Sequence, residues 1–143
     1  MSEDMMDKLN FVVVDDDALA RSIIVEFLES FGFSKIKQFG SGESAIKYIQ
    51  DSRNTVDIVL SDWEMPNGTG LSLLKAIRQN PERKDLHFMM VTSQRSQERF
   101  KISQAAKWKV DAYLIKPFRG KVLKEKVEGL AASALGFKLK DVG

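Results

Sequence analysis

Residues 9–17 read LNFVVVDDD: a short apolar run rich in β-branched side chains that stops abruptly in three acids. A run without polar alternation reads as a strand covered on both faces. The pattern recurs along the chain. Residues 57–60 (DIVL) run into Ser61 and Asp62, residues 88–91 (FMMV) into Thr92 and Ser93, and residues 113–115 (YLI) into Lys116 and Pro117. Residues 36–39 make a weaker strand. Helical spacing fills the gaps. Residues 18–31 carry Leu19, Ile23, Ile24, Phe27 and Leu28 at one-face spacing, with Gly32 as the stop. Residues 42–50 carry Ala45, Ile46 and Ile49 behind Ser41 as N-cap. Residues 71–78 carry Leu73, Leu74 and Ile77, after a Pro/Gly-rich loop at 65–70. Residues 96–107 and 121–135 complete the set. Strand and helix thus alternate five times, which implies an α/β, doubly wound parallel sheet with helices on both faces. No repeat or linker divides the chain. The expected organisation is an extension at 1–7, one domain at 8–135 and a short tail at 136–143.

With 143 residues, the chain has the length of one ordinary domain, able to bury a core without disulfide or metal staples. It contains no cysteine, which excludes a disulfide framework, a thiol nucleophile and a thiolate metal site. No apolar run approaches the ~20 residues that span a bilayer, and the acidic start MSEDMMDKLN does not resemble a secretory signal. The expectation is a soluble, cytoplasmic domain. The net charge of +2 is unevenly placed: residues 1–92 hold 10 basic and 15 acidic side chains, residues 93–143 hold 12 and 5. The basic last third suits an acidic partner or anionic ligand, or is simply a set of solvated helix faces.

In sheets of this kind ligands sit beyond the carboxyl ends of the strands. The residues there are Asp15, Asp16, Asp62, Thr92 and Lys116. Converging carboxylates repel and need a cation; an ammonium and a hard divalent ion such as Mg²⁺ both serve oxygen-only sites. Such a site can perform phosphoryl transfer onto a carboxylate, with an ammonium and a hydroxyl stabilising charge on the transferred group. Each residue also has a plainer reading: the Asp15–Asp17 acids as a helix N-cap cluster, Asp62 as a turn residue, Thr92 as a cap, Lys116 as a solvated charge. The only histidine, His87, opens a strand and is expected to be structural.

The segments VVVDDD (12–17), VLSDWEMPNGTGLSLLKAIR (59–78), MMVTS (89–93) and DAYLIKPF (111–118) together resemble the response-regulator receiver family, most closely its stand-alone chemotaxis-type members. The resemblance covers roughly residues 8–135. It implies a flavodoxin-like sheet of strand order 2-1-3-4-5. It implies Asp62 as phosphoryl acceptor, and Mg²⁺ held by Asp16, Asp62 and the backbone carbonyl of Glu64, with Asp15 acting through a metal-bound water. Lys116 and Thr92 would bind the phosphoryl group, Tyr113 would be the switch aromatic, and the Lys116-Pro117 bond would be cis. The module would take its phosphoryl group from a sensor histidine kinase or phosphotransfer protein. It would then signal to an unidentified protein target through the surface of the fourth helix, fifth strand and fifth helix of the repeat. It would be no enzyme beyond its own phosphorylation and dephosphorylation, and no DNA-binding output domain fits after residue 135.

Three features depart from the commonest family pattern. The stretch from Thr92 to Lys116 is slightly long. The turn after the fourth helix reads Lys107-Trp108-Lys109 where glycine is usual, with Trp108 either a partner anchor or folded onto the core. Glu64 stands two residues beyond the acceptor, where a carboxylate either repels or orients a hydrolytic water. Two other readings compete. One is a small haloacid-dehalogenase-type phosphatase with Asp15 as nucleophile, although Leu19 stands where that family favours Thr or Val. The other is a receiver that binds an anionic nucleotide through Arg95, Arg99, Trp108 and Arg119.

Overall fold

The computed structural model describes residues 2–65, 69–93 and 98–140, with the backbone alone for residues 98, 99 and 137–140. Its strands are β1 (Asn10–Val14), β2 (Lys35–Phe39), β3 (Ile58–Asp62), β4 (His87–Ser93) and β5 (Ala112–Lys116). Its helices are α1 (Glu3–Met6), α2 (Ala18–Ser30), α3 (Gly42–Gln50), α4 (Gly70–Gln79), α5 (Glu98–Lys107) and α6 (Gly120–Lys140). The fourth and fifth helices of the sequence repeat are therefore α5 and α6. All pairings are parallel, in the order β2-β1-β3-β4-β5. This is the flavodoxin-like order the resemblance implies, and the direction of progression reverses between β1 and β3, the switch point where such sheets bind ligands.

The period of two along each strand divides the core. Phe11, Val13, Ile58, Leu60, Met89, Val91 and Leu114 join the side chains of α2 and α6 on one face. Val12, Val14, Val59, Phe88 and Met90 join those of α3, α4 and Ala105 of α5 on the other. Both faces being covered is why these strands read as unbroken apolar runs.

Caps fix the helix ends. Asp17 opens α2 by accepting from the N–H groups of Leu19 and Ala20 at 2.9 and 3.3 Å. Ser41 and Thr69 cap α3 and α4 in the same way. At the end of α2, Gly32 takes a φ of +105°, with Phe33 N–H donating to Leu28 and Gly32 N–H to Glu29. This is a Schellman stop, and glycine takes its left-handed position without steric cost. The turn after α5 is built alike: Lys109 N–H donates to Ala106, Val110 N–H to Ala105, and Lys109 holds φ +57° where glycine is usual.

Two expectations need correction. On α2 the buried residues are Ile24, Val25 and Leu28, whereas Leu19 is 70% exposed and Ile23 42% exposed. The apolar stripe is wider than the surface the sheet can cover. The final helix does not end at residue 135 but runs through Gly136 to residue 140. A glycine costs a helix interior only about 1 kcal/mol, which does not stop a run of good formers. The extension contains the helical turn α1, capped by Ser2, whose Met5 and Met6 pack on the α2–α6 side of the core.

Candidate functional site

β1 and β3 are adjacent and in register, Val14 beside Ser61, so the residues that follow Val14 meet the end of β3. Asp15, Asp16 and Asp62 converge there, with one carboxylate oxygen from each within 4.8 Å of the others. The three consecutive acids divide their work. Asp17 caps α2, while Asp15 and Asp16 go to the cluster. Asp15 is 1% exposed; its Oδ1 accepts from Asp17 N–H at 2.9 Å and its Oδ2 lies 3.2 Å from Lys116 Nζ. Asp16 is exposed and Asp62 half-buried, so the cluster opens to solvent on one side.

Burial is the main cause that raises the Asp62 carboxyl to a pKa of about 6; Lys116 and the N–H of Trp63 pull it down, and Asp15 and Asp16 push it up. Lys116 therefore does not balance the cluster. The Lys116-Pro117 bond is cis, as the resemblance implies. Thr92, at the end of β4, is fully buried, and its Oγ1 has no hydrogen-bond partner among the described residues. A buried hydroxyl left without a partner costs free energy unless a ligand supplies one. Thr92 pairs with Ile115 and Ser93 with Lys116, which sets the hydroxyl beside the strand end that carries the lysine. Tyr113, half-buried on β5, packs against the α3–α4–α5 side of the core.

The chain matches the family model for the response regulator receiver domain over residues 11–128. The chain belongs to the response regulator receiver family. The chemotaxis protein CheY of Pseudomonas aeruginosa is 34% identical to this receiver over 120 residues, covering 84% of this chain and 94% of that protein. CheY-3 of Vibrio cholerae is 33% identical, covering 84% and 89%. Among solved structures, CheY4 of Vibrio cholerae superposes with a TM-score of 0.74 at 25% identity, covering 85% of this chain and 98% of that one. A receiver domain from Clostridium thermocellum shares the fold at a TM-score of 0.77 and 21% identity, covering 87% and 95%. Receivers of this family are signalling modules rather than classical enzymes.

The phosphatase reading falls with this match and with the state of Asp15, a buried carboxylate held by an N–H and an ammonium rather than free to attack. The arginine–tryptophan ligand site does not assemble as a unit. Trp108 precedes β5 and Arg119 follows it, so the two lie at opposite ends of the sheet. Trp108 is half-buried against the core, with Lys75 Nζ 5.5 Å from its ring centroid. Arg95 lies outside the described residues, and Arg99 is described by its backbone alone. His87 is at the amino end of β4, with Nδ1 3.6 Å from Asp111, remote from the cluster as expected of a structural residue.

Two neighbours of the site went unread in the sequence. Lys101, 8% exposed on α5, reaches Glu64 Oε1 at 2.7 Å and lies 5.8 Å from the ring centroid of Trp63. Trp63 is 7% exposed and packs among Leu73, Met90 and Ala105. A buried lysine on a helix whose large apolar residues, Phe100 and Ile102, are exposed carries no periodic signal. Gly70 also proves constrained, since a β-carbon there would lie 2.3 Å from the Asp62 carbonyl oxygen. This close approach holds the start of α4 against the end of β3.

Proposed function

We propose that this receiver accepts a phosphoryl group on Asp62 from a histidine kinase or phosphotransfer protein in the cytoplasm, and passes the signal on by protein contact. The observation that carries the reading is the meeting of three carboxylates, one ammonium and a buried hydroxyl, unpartnered among the described residues, at the switch point of the sheet. The donor set is all oxygen, which fits Mg²⁺ with its preference for one or two carboxylates plus water and phosphate oxygens. Asp16, Asp62 and the backbone carbonyl of Glu64 would hold the ion, with Asp15 reaching it through water. When bound, it would offset the charge of the cluster and of the incoming phosphoryl group.

The chain's own groups do the rest. An oxygen of Asp62 attacks phosphorus in line. The new O–P bond forms as the bond to the donor's imidazole nitrogen breaks, and the departing imidazole takes up a proton from water. Lys116 Nζ turns from Asp15 to the phosphoryl oxygens, and Thr92 Oγ1 donates the hydrogen bond it lacks in the unmodified state. Tyr113 follows Thr92 inward. The surface of α5, β5 and α6 then changes shape as a population shift between two existing states. Phe100 and Ile102, 62% and 43% exposed on α5, and Val122, 38% exposed on α6, are apolar contacts available there to a target.

The test is incubation with Mg²⁺ and acetyl phosphate, read by intact mass. One added phosphoryl group is expected on the wild type, with none on Asp62→Asn and none without Mg²⁺. Failure of the wild type to form the adduct, together with failure to bind beryllofluoride, overturns the reading.

A further inference from the structure

α5 is held by unusual means. Among its described side chains only Lys101 and Ala105 are buried, and Phe100 and Ile102 face solvent. One of its two inward anchors is therefore a cation. That cation meets the acid two residues beyond Asp62, at 2.7 Å, over the face of Trp63. Side-chain exposure is 11% for Lys101 and 39% for Glu64, so the lysine is the desolvated partner and has little freedom to leave. A close pair of this kind cancels most of its own field at a distance. Breaking one member leaves a full charge in a partly desolvated place.

We infer that Lys101 is a positioning residue for phosphoryl acceptance: it holds and neutralises Glu64, so that a fourth carboxylate charge does not confront the anionic phosphodonor. This rests on the acceptor reading of Asp62. The surroundings give the inference its force. Asp15, Asp16 and Asp62 already outnumber Lys116 on this rim, and an approaching phosphoryl donor is itself an anion. Loss of the Lys101 charge would make the local potential more negative and lower the donor's encounter rate. The same added charge would attract a divalent cation. Lys101 thus sets donor capture and cation affinity in opposite directions.

The double-mutant cycle of Lys101→Met and Glu64→Gln tests this. Lys101→Met keeps the apolar stem and removes the charge. It is expected to slow phosphorylation by acetyl phosphate about fivefold and to tighten Mg²⁺ binding by a similar factor, the order expected for one unit charge within a Debye length. Glu64→Gln, which frees the lysine charge, is expected to shift both quantities the other way. The double variant returns near wild type, Lys101→Arg behaves as wild type, and all differences shrink in 0.5 M salt, as screening requires at roughly a 4 Å Debye length. If the two single variants shift both quantities in the same direction, or neither moves them, the inference is overturned. Mg²⁺ affinity by calorimetry needs no phosphoryl adduct, so it still decides the inference if the wild type fails to phosphorylate and the acceptor reading falls.

Discussion

The two ends of the sheet treat charge in opposite ways. At the amino ends, Asp57 and Asp111 each stand just before a strand and accept the N–H of the neighbouring one. Asp57 takes Asn10 N–H at 2.8 Å, and Asp111 takes Phe88 N–H at 2.7 Å. Arg78 then joins three segments. It donates to the carbonyls of Lys84 and Leu86, to those of Trp108 and Lys109, and to Asp111 at 2.9 Å. Arg83 binds the carbonyls of Asp51 and Asn54 through one terminal nitrogen, while its buried Nε has no hydrogen-bond partner among the described residues. At the carboxyl ends, three acids share one lysine, and the Thr92 hydroxyl is unpartnered among the described residues. A largely paired network gives rigidity, and a cluster of like charges beside an unpaired hydroxyl marks where a ligand completes the structure. The amino end is thus built for stability and the carboxyl end for chemistry, within one strand length of each other.

Mutation sharpens the contrast, because the sign of the effect reverses between the ends. Arg78→Ala is expected to destabilise by about 3 kcal/mol in urea unfolding, since it removes a donor from four carbonyls and the ion pair from the partly buried Asp111. Asp57→Ala, which frees an N–H at the start of β1, is expected to cost about 1–2 kcal/mol. Asp62→Asn is expected to do the reverse and stabilise the Mg²⁺-free protein at pH 7 by about 1 kcal/mol, a figure reduced from the full linkage value because the group is only partly buried. Loss of stability in Asp62→Asn would break the comparison.

The pH dependence separates the ends further. The carboxyl of Asp62 is raised to about 6 from an ordinary 3.8, chiefly by burial, so the folded state binds its proton more tightly than the unfolded chain. Its contribution is therefore favourable below the ordinary value and is lost as pH rises from about 4 to about 6. Asp111 has the opposite sign. Burial raises its carboxyl, but hydrogen bonds from His87 and Phe88 N–H and the charge of Arg78 together bring it below the ordinary 3.8. Its contribution is present above that value and is lost as pH falls through the lowered one. Chemical unfolding across this range without divalent ions should show the Asp62 component vanish in Asp62→Asn and persist in Asp111→Asn.

The smallest expected effect concerns the turn after α5. Lys109 holds a left-handed φ of 57°, which costs a side-chain-bearing residue roughly 1 kcal/mol relative to glycine. Lys109→Gly should raise the midpoint of thermal unfolding by a few degrees, offset in part by the greater freedom glycine has when unfolded.

Much of this arrangement is legible in the amino-acid sequence. Four apolar runs and a weaker fifth strand, alternating with helical stripes, fix a parallel α/β sheet, because a strand covered on both faces has no polar period. The residues after those runs fix which acids, hydroxyl and lysine can share a rim, because parallel strands put all their carboxyl ends on one side. Gly32, Ser41 and the structural part of His87 were legible for the same local reasons. Other features depended on long-range placement. Asp15 and Asp17 are identical in type and two residues apart, and only the packed start of α2 makes one a cap and the other a buried ligand to Lys116. The acids before β3 and β5 repeat visibly in the sequence, yet Arg78 as the partner of Asp111 does not, because its acceptors lie up to 33 residues away. The same holds for Lys101. Sequence periodicity reports which face of an element is apolar. Where a charge on that face finds its counter-charge is decided only when distant segments meet, since the Coulomb and hydrogen-bond terms that hold it act over ångströms in space and not over spacing in the chain.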